Sequence, residues 1–280
     1  MMPKKLLLSL GLIASTIASA YFVTVSSAQQ GTQPTVADLE YQVAAILYQQ
    51  KAAEYRALSY QAFNLARWQL DADFNKKNFK KLSKAERKMP RAIVVDIDET
   101  VLDNSPAQAY SAKNGLPFNQ KDWYAWGEMR KARAVPGAVD FLNYAVSKGV
   151  KVFYITNRDE VQKAATVDNL QKAGFNGVTI DSVMLRTKES SKDARRASVA
   201  AKYRIVLLAG DNLDDFTSAF ERKSVADRFA ETDKAKDQWG KKFIVLPNAM
   251  YGTWENAIYE YGRLTEAQKA EKRAAALELP

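Results

Sequence analysis

Two residue types are missing altogether from these 280 residues: the chain has no cysteine and no histidine. Serine–histidine triads, phosphohistidine chemistry, cysteine phosphatases and His/Cys zinc sites are therefore excluded. Any covalent route has to run through Asp, Glu, Ser, Thr, Lys or Tyr. Disulfides are excluded as well, so the fold is held by its core alone. Glycine and proline are sparse, at 12 and 8. Stretches such as 36–74 contain neither, and there the helical pattern runs unbroken. Long apolar runs are scarce after the amino terminus. Acidic charge is the minority sign, and the formal net charge is +9, which suits anionic small molecules or an acidic surface. No basic stretch is interleaved with aromatics, so nucleic acid is not an expected partner.

What the chain does contain is two pairs of aspartates at the ends of apolar runs. Asp96 and Asp98 close AIVV in AIVVDIDET, and Asp211 and Asp215 close IVLLAG in IVLLAGDNLDDF. Strands of an open α/β sheet release their carboxyl ends into the crevice where ligands bind, so two such runs side by side would bring four acids to one point. Four like charges in one pocket require a cation. Oxygen-only ligation with room for water and phosphate oxygens suits Mg²⁺.

Residues 1–28 read as an export signal. Lys4 and Lys5 precede an apolar stretch from Leu6 to about Ile17, and small residues allow cleavage after Ala20 or after Ala28. An uncleaved anchor is the rival reading, since apolar character continues through Val23. Cleavage is favoured, leaving no stable membrane insertion and a periplasmic or secreted protein with a charge near +7. Lipid attachment through cysteine is closed. The segment 35–90 is predicted to be helical, as one long or two consecutive helices. Tyr41, Ala45, Tyr48, Ala52, Tyr55 and Leu58 form a packing face at three- and four-residue intervals, and a Lys-rich linker or frayed helix covers 76–88. The core, 91–255, is predicted to have strands near 92–95, 150–155, 182–185, 204–209 and 242–246, with helices at 137–147, 160–173, 190–202 and 214–220. This pattern predicts a doubly wound parallel sheet. Residues 107–135 interrupt it as a small cap over the crevice, and 256–280 is predicted to close the chain as a helix. The amphipathic amino-terminal helices would cover the core, the site or a second copy; a homodimer is expected.

DIDET fits a DxDxT signature, and GDNLDD supplies Gly-Asp followed four residues later by Asp. Together these resemble the haloacid dehalogenase superfamily. With RAVPGAVDF, KVFYITNRD and FIVLPNAMYGTWE, the chain from about 35 to 260 is similar to the bacterial class C (DDDD) acid phosphatases. The resemblance implies an Mg²⁺-dependent phosphomonoesterase acting at acid pH, with a haloacid dehalogenase-like sheet. Chemistry agrees with it on the first pair: Asp96 attacks phosphorus to form an aspartyl phosphate, and Asp98, two residues on and pointing the same way in extended chain, serves as acid and then base. The resemblance further implies metal ligation by Asp96, the Asp98 carbonyl, Asp211 and Asp215, with the adjacent Asp214 competing for the last role. It aligns Thr156 with a phosphate-binding hydroxyl, with Asn157 and Arg158 as aids. Lys188 takes the cationic position and Lys192 is its runner-up. It also implies that Trp123, Trp126, Tyr251 and Trp254 stack a nucleoside or aryl leaving group, so that 5′-nucleotides and aryl phosphates are the expected substrates. Asn104 and Asn248 are expected to position substrate or loops. A phosphotransferase of the same superfamily and a noncatalytic nucleotide-binding surface protein are the alternatives.

Overall fold

A computed structural model describes residues 37–280. The predicted leader with its two cleavage points, and the first residues of the helical segment, lie outside the described residues. The strands are β1 (Arg91–Val95), β2 (Leu102–Asp103), β3 (Arg133–Ala134), β4 (Lys151–Asp159), β5 (Val183–Arg186), β6 (Arg204–Gly210) and β7 (Phe243–Val245). Five of them form one parallel sheet in the order β5-β4-β1-β6-β7; β2 and β3 pair separately and antiparallel. The chain leaves β1 toward β4 and β5, then returns to the other side of β1 through β6 and β7. The carboxyl ends of β1, β4 and β6 therefore open on a common crevice at the switch point.

β1 is apolar because both of its faces are covered. Ala92 through Val95 are at most 3% exposed, the pattern of a central parallel strand rather than of a half-buried one. Ile93 and Val95 face one core with Val152, Tyr154 and Leu207, against Phe63, Leu70, Phe141 and Leu170 from helices. Ala92 and Val94 face a second core with Leu208, Val199 and Phe216. Helices Ala53–Phe74, Ala138–Ser147 and Lys163–Lys172 cover the first face, and Asp193–Ala200 lies on the second.

Three local expectations are corrected. The amino-terminal face predicted through Tyr48 and Leu58 does not form one stripe. The helix Val43–Lys51 ends at Ala52, whose ψ of 129° is extended, and the next helix starts out of phase. Tyr48 and Leu58 are left exposed, while Tyr55, Phe63, Ala66 and Leu70 are buried. Residues 214–220 make two short 3-10 turns, Leu213–Asp215 and Ser218–Phe220, rather than a helix. Asn212 and Asp215 cap each other's backbone and tighten the first turn. The carboxy-terminal helix is split into Thr253–Ile258 and Glu266–Ala275.

The inserted segment after β1 carries helices Ser105–Lys113 and Gln120–Met129. The second is pinned to the core at several points. Tyr124 donates to Asp159 at 2.6 Å, Arg130 to Asp168 at 3.2 Å, and Asn169 bonds both the N–H and the carbonyl of Ala132. Leu39, Ile46, Ala112 and Met250 form a third cluster, so the amino-terminal segment closes the far wall of the crevice.

Asp73, at the end of helix Ala53–Phe74, accepts from Arg91 Nε at 2.6 Å and from both terminal nitrogens of Arg204 at 2.6 and 2.7 Å, tying the helix to the starts of β1 and β6. Burial pushes its carboxyl up, but the bonds from Arg204 and Arg91 outweigh this and hold it below its ordinary value. A depressed carboxyl stabilises the fold above its unfolded pKa, and that contribution disappears as pH falls through the depressed value. Asp73→Ala is expected to cost about 2 kcal/mol near neutrality, water offsetting part of the lost pairing, with the deficit shrinking in acid. Denaturant titrations of both proteins across pH check this; a gap that persists unchanged in strong acid would contradict it.

Candidate active site

Asp96 follows β1, and its N–H donates to the carbonyl of Ala209 on β6 at 2.9 Å, which locks the two strand ends together. Asp211 follows β6, and Asp215 lies in the turn beyond. Each of Asp96, Asp211 and Asp215 offers a carboxylate oxygen, and these oxygens lie within 4.8 Å of one another. The approach requires Gly210, since a Cβ there would collide with the Asp215 side chain. Asp211 accepts from Thr100 Oγ1 at 3.1 Å and Asn248 Nδ2 at 2.8 Å. Asp214, the competitor for Asp215, points elsewhere: it accepts from Arg228 at 3.1 Å and Thr253 at 3.3 Å.

Burial and mutual repulsion dominate the electrostatics. Burial, then the charge of Asp215, pushes the Asp211 carboxyl up to about 8. Burial raises Asp96 well above the ordinary range, opposed by Lys192 and reinforced by the neighbouring acids. Three carboxylates face one lysine, so the cluster lacks positive charge. An oxygen-only, anionic donor set of this kind fits a hard divalent cation.

The cation is the main correction. Lys188 is exposed. Lys192 instead, 6% exposed, bonds Asp96 and lies 2.7 Å from Asp215. Burial lowers its pKa, but the charges of Asp215 and Asp96 more than reverse this, and the ammonium stays protonated. Lys192 is the residue just before helix Asp193–Ala200, and the following turn of that helix is clamped on both sides. Arg195 donates to the Thr156 carbonyl at 2.5 Å and to Asn157 Oδ1 at 2.7 Å, and Arg196 donates to the Asp215 carbonyl at 2.7 Å. Neither arginine was singled out from the sequence. The Arg-Arg pair on the short helix that Lys192 opens is the signal that was available.

Asp98 stands outside the triad. Its carboxylate accepts from Arg158 Nη2 at 2.8 Å and Nε at 3.0 Å, from Asn104 Nδ2 at 2.8 Å and from Thr156 Oγ1 at 3.1 Å. Thr156 lies inside β4, which runs past its predicted end, and its hydroxyl also accepts the N–H of Arg158. Arg158 is 2% exposed, and its guanidinium lies 5.4 Å from the Trp123 ring centroid. Asn157 lines the crevice, with its side-chain oxygen held by Arg195.

Glu99 was missed by sequence reasoning. Fully buried, it has φ of 61°, left-handed for a residue with a side chain, at a cost of roughly 1 kcal/mol. Its carboxylate accepts from the Asn104 N–H at 2.7 Å, from Asn104 Nδ2 at 3.3 Å and from the Tyr251 hydroxyl, which offsets that cost. Burial, then the charge of Asp98, raises it to about 8. Asn104 also accepts from Trp126 Nε1 at 2.8 Å, so one buried network ties Tyr251, Glu99, Asn104, Asp98 and Trp126 together.

Asp96, Asp98, Arg158, Lys192, Asp211 and Asp215 open into a cavity of about 870 Å³ whose other walls include Tyr41, Tyr110, Phe118, Trp123, Trp126 and Tyr251. Trp254 is not among the lining residues. It is 43% exposed and packs beside Gly252, contrary to the sequence expectation. No helix among the described residues is long and apolar enough to cross a membrane.

A family model described as HAD superfamily, subfamily IIIB (acid phosphatase) matches residues 6–254. The structure of the class C acid phosphatase from Bacillus anthracis is 41% identical in sequence and matches with a TM-score of 0.80, over 86% of this chain and 98% of that one. A crystal structure of the class C acid phosphatase from Bacillus anthracis with tungstate bound gives 0.79 at the same identity and coverage. Acid phosphatase 1 of Solanum lycopersicum is 28% identical over 130 residues, 44% of this chain and 50% of the relative. The class B acid phosphatase of Aggregatibacter actinomycetemcomitans is 28% identical over 145 residues, 49% of this chain and 61% of the relative. The chain thus spans half to about three-fifths of the length of these two curated relatives.

Proposed function

We propose, from the premise that this chain belongs to the HAD (haloacid dehalogenase) superfamily, subfamily IIIB, the acid phosphatases, that it is an exported Mg²⁺-dependent phosphomonoesterase working through a phosphorylated Asp96. The carrying observation is the convergence of Asp96, Asp211 and Asp215 around Lys192 at the sheet's switch point. Mg²⁺ held by Asp96, Asp211 and Asp215, and by the Asp98 carbonyl in the family pattern, would supply positive charge that lets an anionic nucleophile approach an anionic phosphate. Export rests on the leader-like pattern of residues 1–28.

The chain's own residues carry the bond-making steps. The Asp96 carboxylate attacks phosphorus as the ester P–O bond breaks, and Asp98 delivers a proton to the departing oxygen. Asp98 then takes a proton from water, whose oxygen attacks the aspartyl phosphate and releases inorganic phosphate from Asp96. Arg158, Asn104 and Thr156 hold the Asp98 carboxylate in one orientation throughout. Lys192 offsets charge on the transferring phosphoryl group, a role that family spacing had assigned to Lys188. Tungstate, an oxyanion, is bound in one structure of the Bacillus anthracis relative, which supports an oxyanion-accepting site here.

The aromatic wall supports flat leaving groups, 5′-nucleotides and aryl phosphates. Stacking is worth about 1–3 kcal/mol per ring face, so Trp123→Ala is expected to lower kcat/KM for a nucleotide by about tenfold or more. Trp254→Ala is expected to stay within about twofold, since the ring lies outside the cavity. Steady-state kinetics on both variants measure this, and equal losses would return Trp254 to the substrate site.

Calorimetric titration with Mg²⁺ tests the metal directly. One tight site is expected, weakened at least about tenfold in Asp211→Asn, with phosphate release abolished by EDTA and restored by Mg²⁺. Unchanged hydrolysis under chelation would remove the metal from the reading.

A further inference from the structure

The pole of the molecule opposite the crevice is strongly cationic. Residues 76–88, KKNFKKLSKAERK, carry seven Lys and Arg against Glu86 alone. They form two short helices, Lys76–Lys81 and Lys84–Lys88, leading into the amino end of β1. All seven cations are exposed, and none makes an ion pair among the described residues. The one acid, Glu86, accepts the Ser83 N–H at 2.9 Å in a capping box and offsets only one of the seven positive charges. Exposed Lys242 precedes β7 at the same edge. Exposed Lys148 and Lys202 precede β4 and β6 at the same edge.

Helix ends account for only part of this. Helices entering a parallel sheet finish at its amino edge, and a lysine at or just past the carboxyl end of a helix complements its dipole. That explains Lys148 and Lys202 singly, but not seven unpaired cations in thirteen residues. Six of the seven are Lys, compact charges on flexible stems that need no register with their partner. Single-stranded nucleic acid calls for free aromatic faces beside the charge. The segment's one ring, Phe79, already has the Arg91 guanidinium 5.2 Å from its centroid.

We propose that this pole seats the protein on a surface of anionic lipid headgroups, with the crevice facing away into solution. The seating is independent of the phosphatase reading, and hydrolysis of a soluble ester serves only to verify the fold of the variants. Co-sedimentation of the full chain with phosphatidylglycerol/phosphatidylcholine vesicles, against phosphatidylcholine alone, tests it. The neutral vesicles report any insertion by the apolar residues 6–23. Binding to the anionic vesicles is expected to be at least about tenfold stronger, and to weaken steeply as NaCl rises from about 0.05 M to about 0.3 M. The five changes Lys76→Glu, Lys77→Glu, Lys80→Glu, Lys81→Glu and Lys84→Glu together should erase the preference while hydrolysis stays within about twofold. The same charge change made elsewhere, at Lys113, Lys121, Lys131, Lys223 and Lys236, should retain most of it. The proposal fails if anionic vesicles are not preferred, if the first set leaves the preference intact, or if both sets abolish it equally, which would make net charge and not this pole responsible. Retention of a soluble polyanion such as heparin without vesicle binding overturns it as well.

Discussion

Replacing Asp96 with Asn is expected to lower phosphate release by at least about 10⁴-fold, because the amide keeps the shape of the side chain and loses the attacking oxygen. Stability is expected to hold. Burial already pushes this carboxyl toward its neutral form, so a neutral isostere removes a desolvation cost instead of adding one. Lys192 keeps an acceptor in the amide oxygen and keeps Asp215 at 2.7 Å. The two consequences are separable, by phosphate release on one side and the thermal midpoint on the other. Acid quenching with labelled substrate adds a third readout: a phosphoenzyme in the wild type and none in the variant. Hydrolysis by the variant within about tenfold of wild type would refute the covalent step.

Lys192→Met should be nearly as damaging, and it decides between the two lysines. Removing the ammonium leaves Asp96 and Asp215 facing each other in a buried site with no cation of the chain between them, and breaking a buried pair costs roughly 3–5 kcal/mol. That cost would fall on stability in the absence of metal and on kcat/KM in its presence, with an expected loss in kcat/KM of about 10²–10³-fold. Lys188→Met, at an exposed position, should change kcat/KM by no more than about twofold. Lys192→Arg is not expected to rescue, because a planar fork does not fit where a compact ammonium bridges two carboxylates. If Lys188→Met proves the damaging change, the assignment reverts to the residue favoured by sequence spacing.

Strand ends were legible because they carry a purely local signature. AIVV and IVLLAG are continuous apolar runs that only a doubly covered strand accommodates, and each breaks off in aspartate where the chain meets the crevice. The helices after β3, β4 and β5 were legible for the same reason, their apolar positions recurring at helical period. Failures came where one extended residue resets the phase. Ala52 ends a helix although nothing in its side chain demands it, and the face predicted through Tyr48 and Leu58 is lost from that point on.

Identity and position along the chain determined which acids are available, that no thiol or imidazole competes with them, and where the strands stop. Those properties depend on composition and on one-dimensional pattern alone. The position of Lys192 rather than Lys188 beside Asp96, the clasp of Arg158 on Asp98, the buried Glu99 linking Tyr251 to Asn104, and the place of Trp254 outside the cavity were decided only in three dimensions. Each depends on which way a side chain points after a turn and on what another strand presents to it there. Neighbouring residues in a tight turn diverge by a large angle, so a shift of one position selects a different partner.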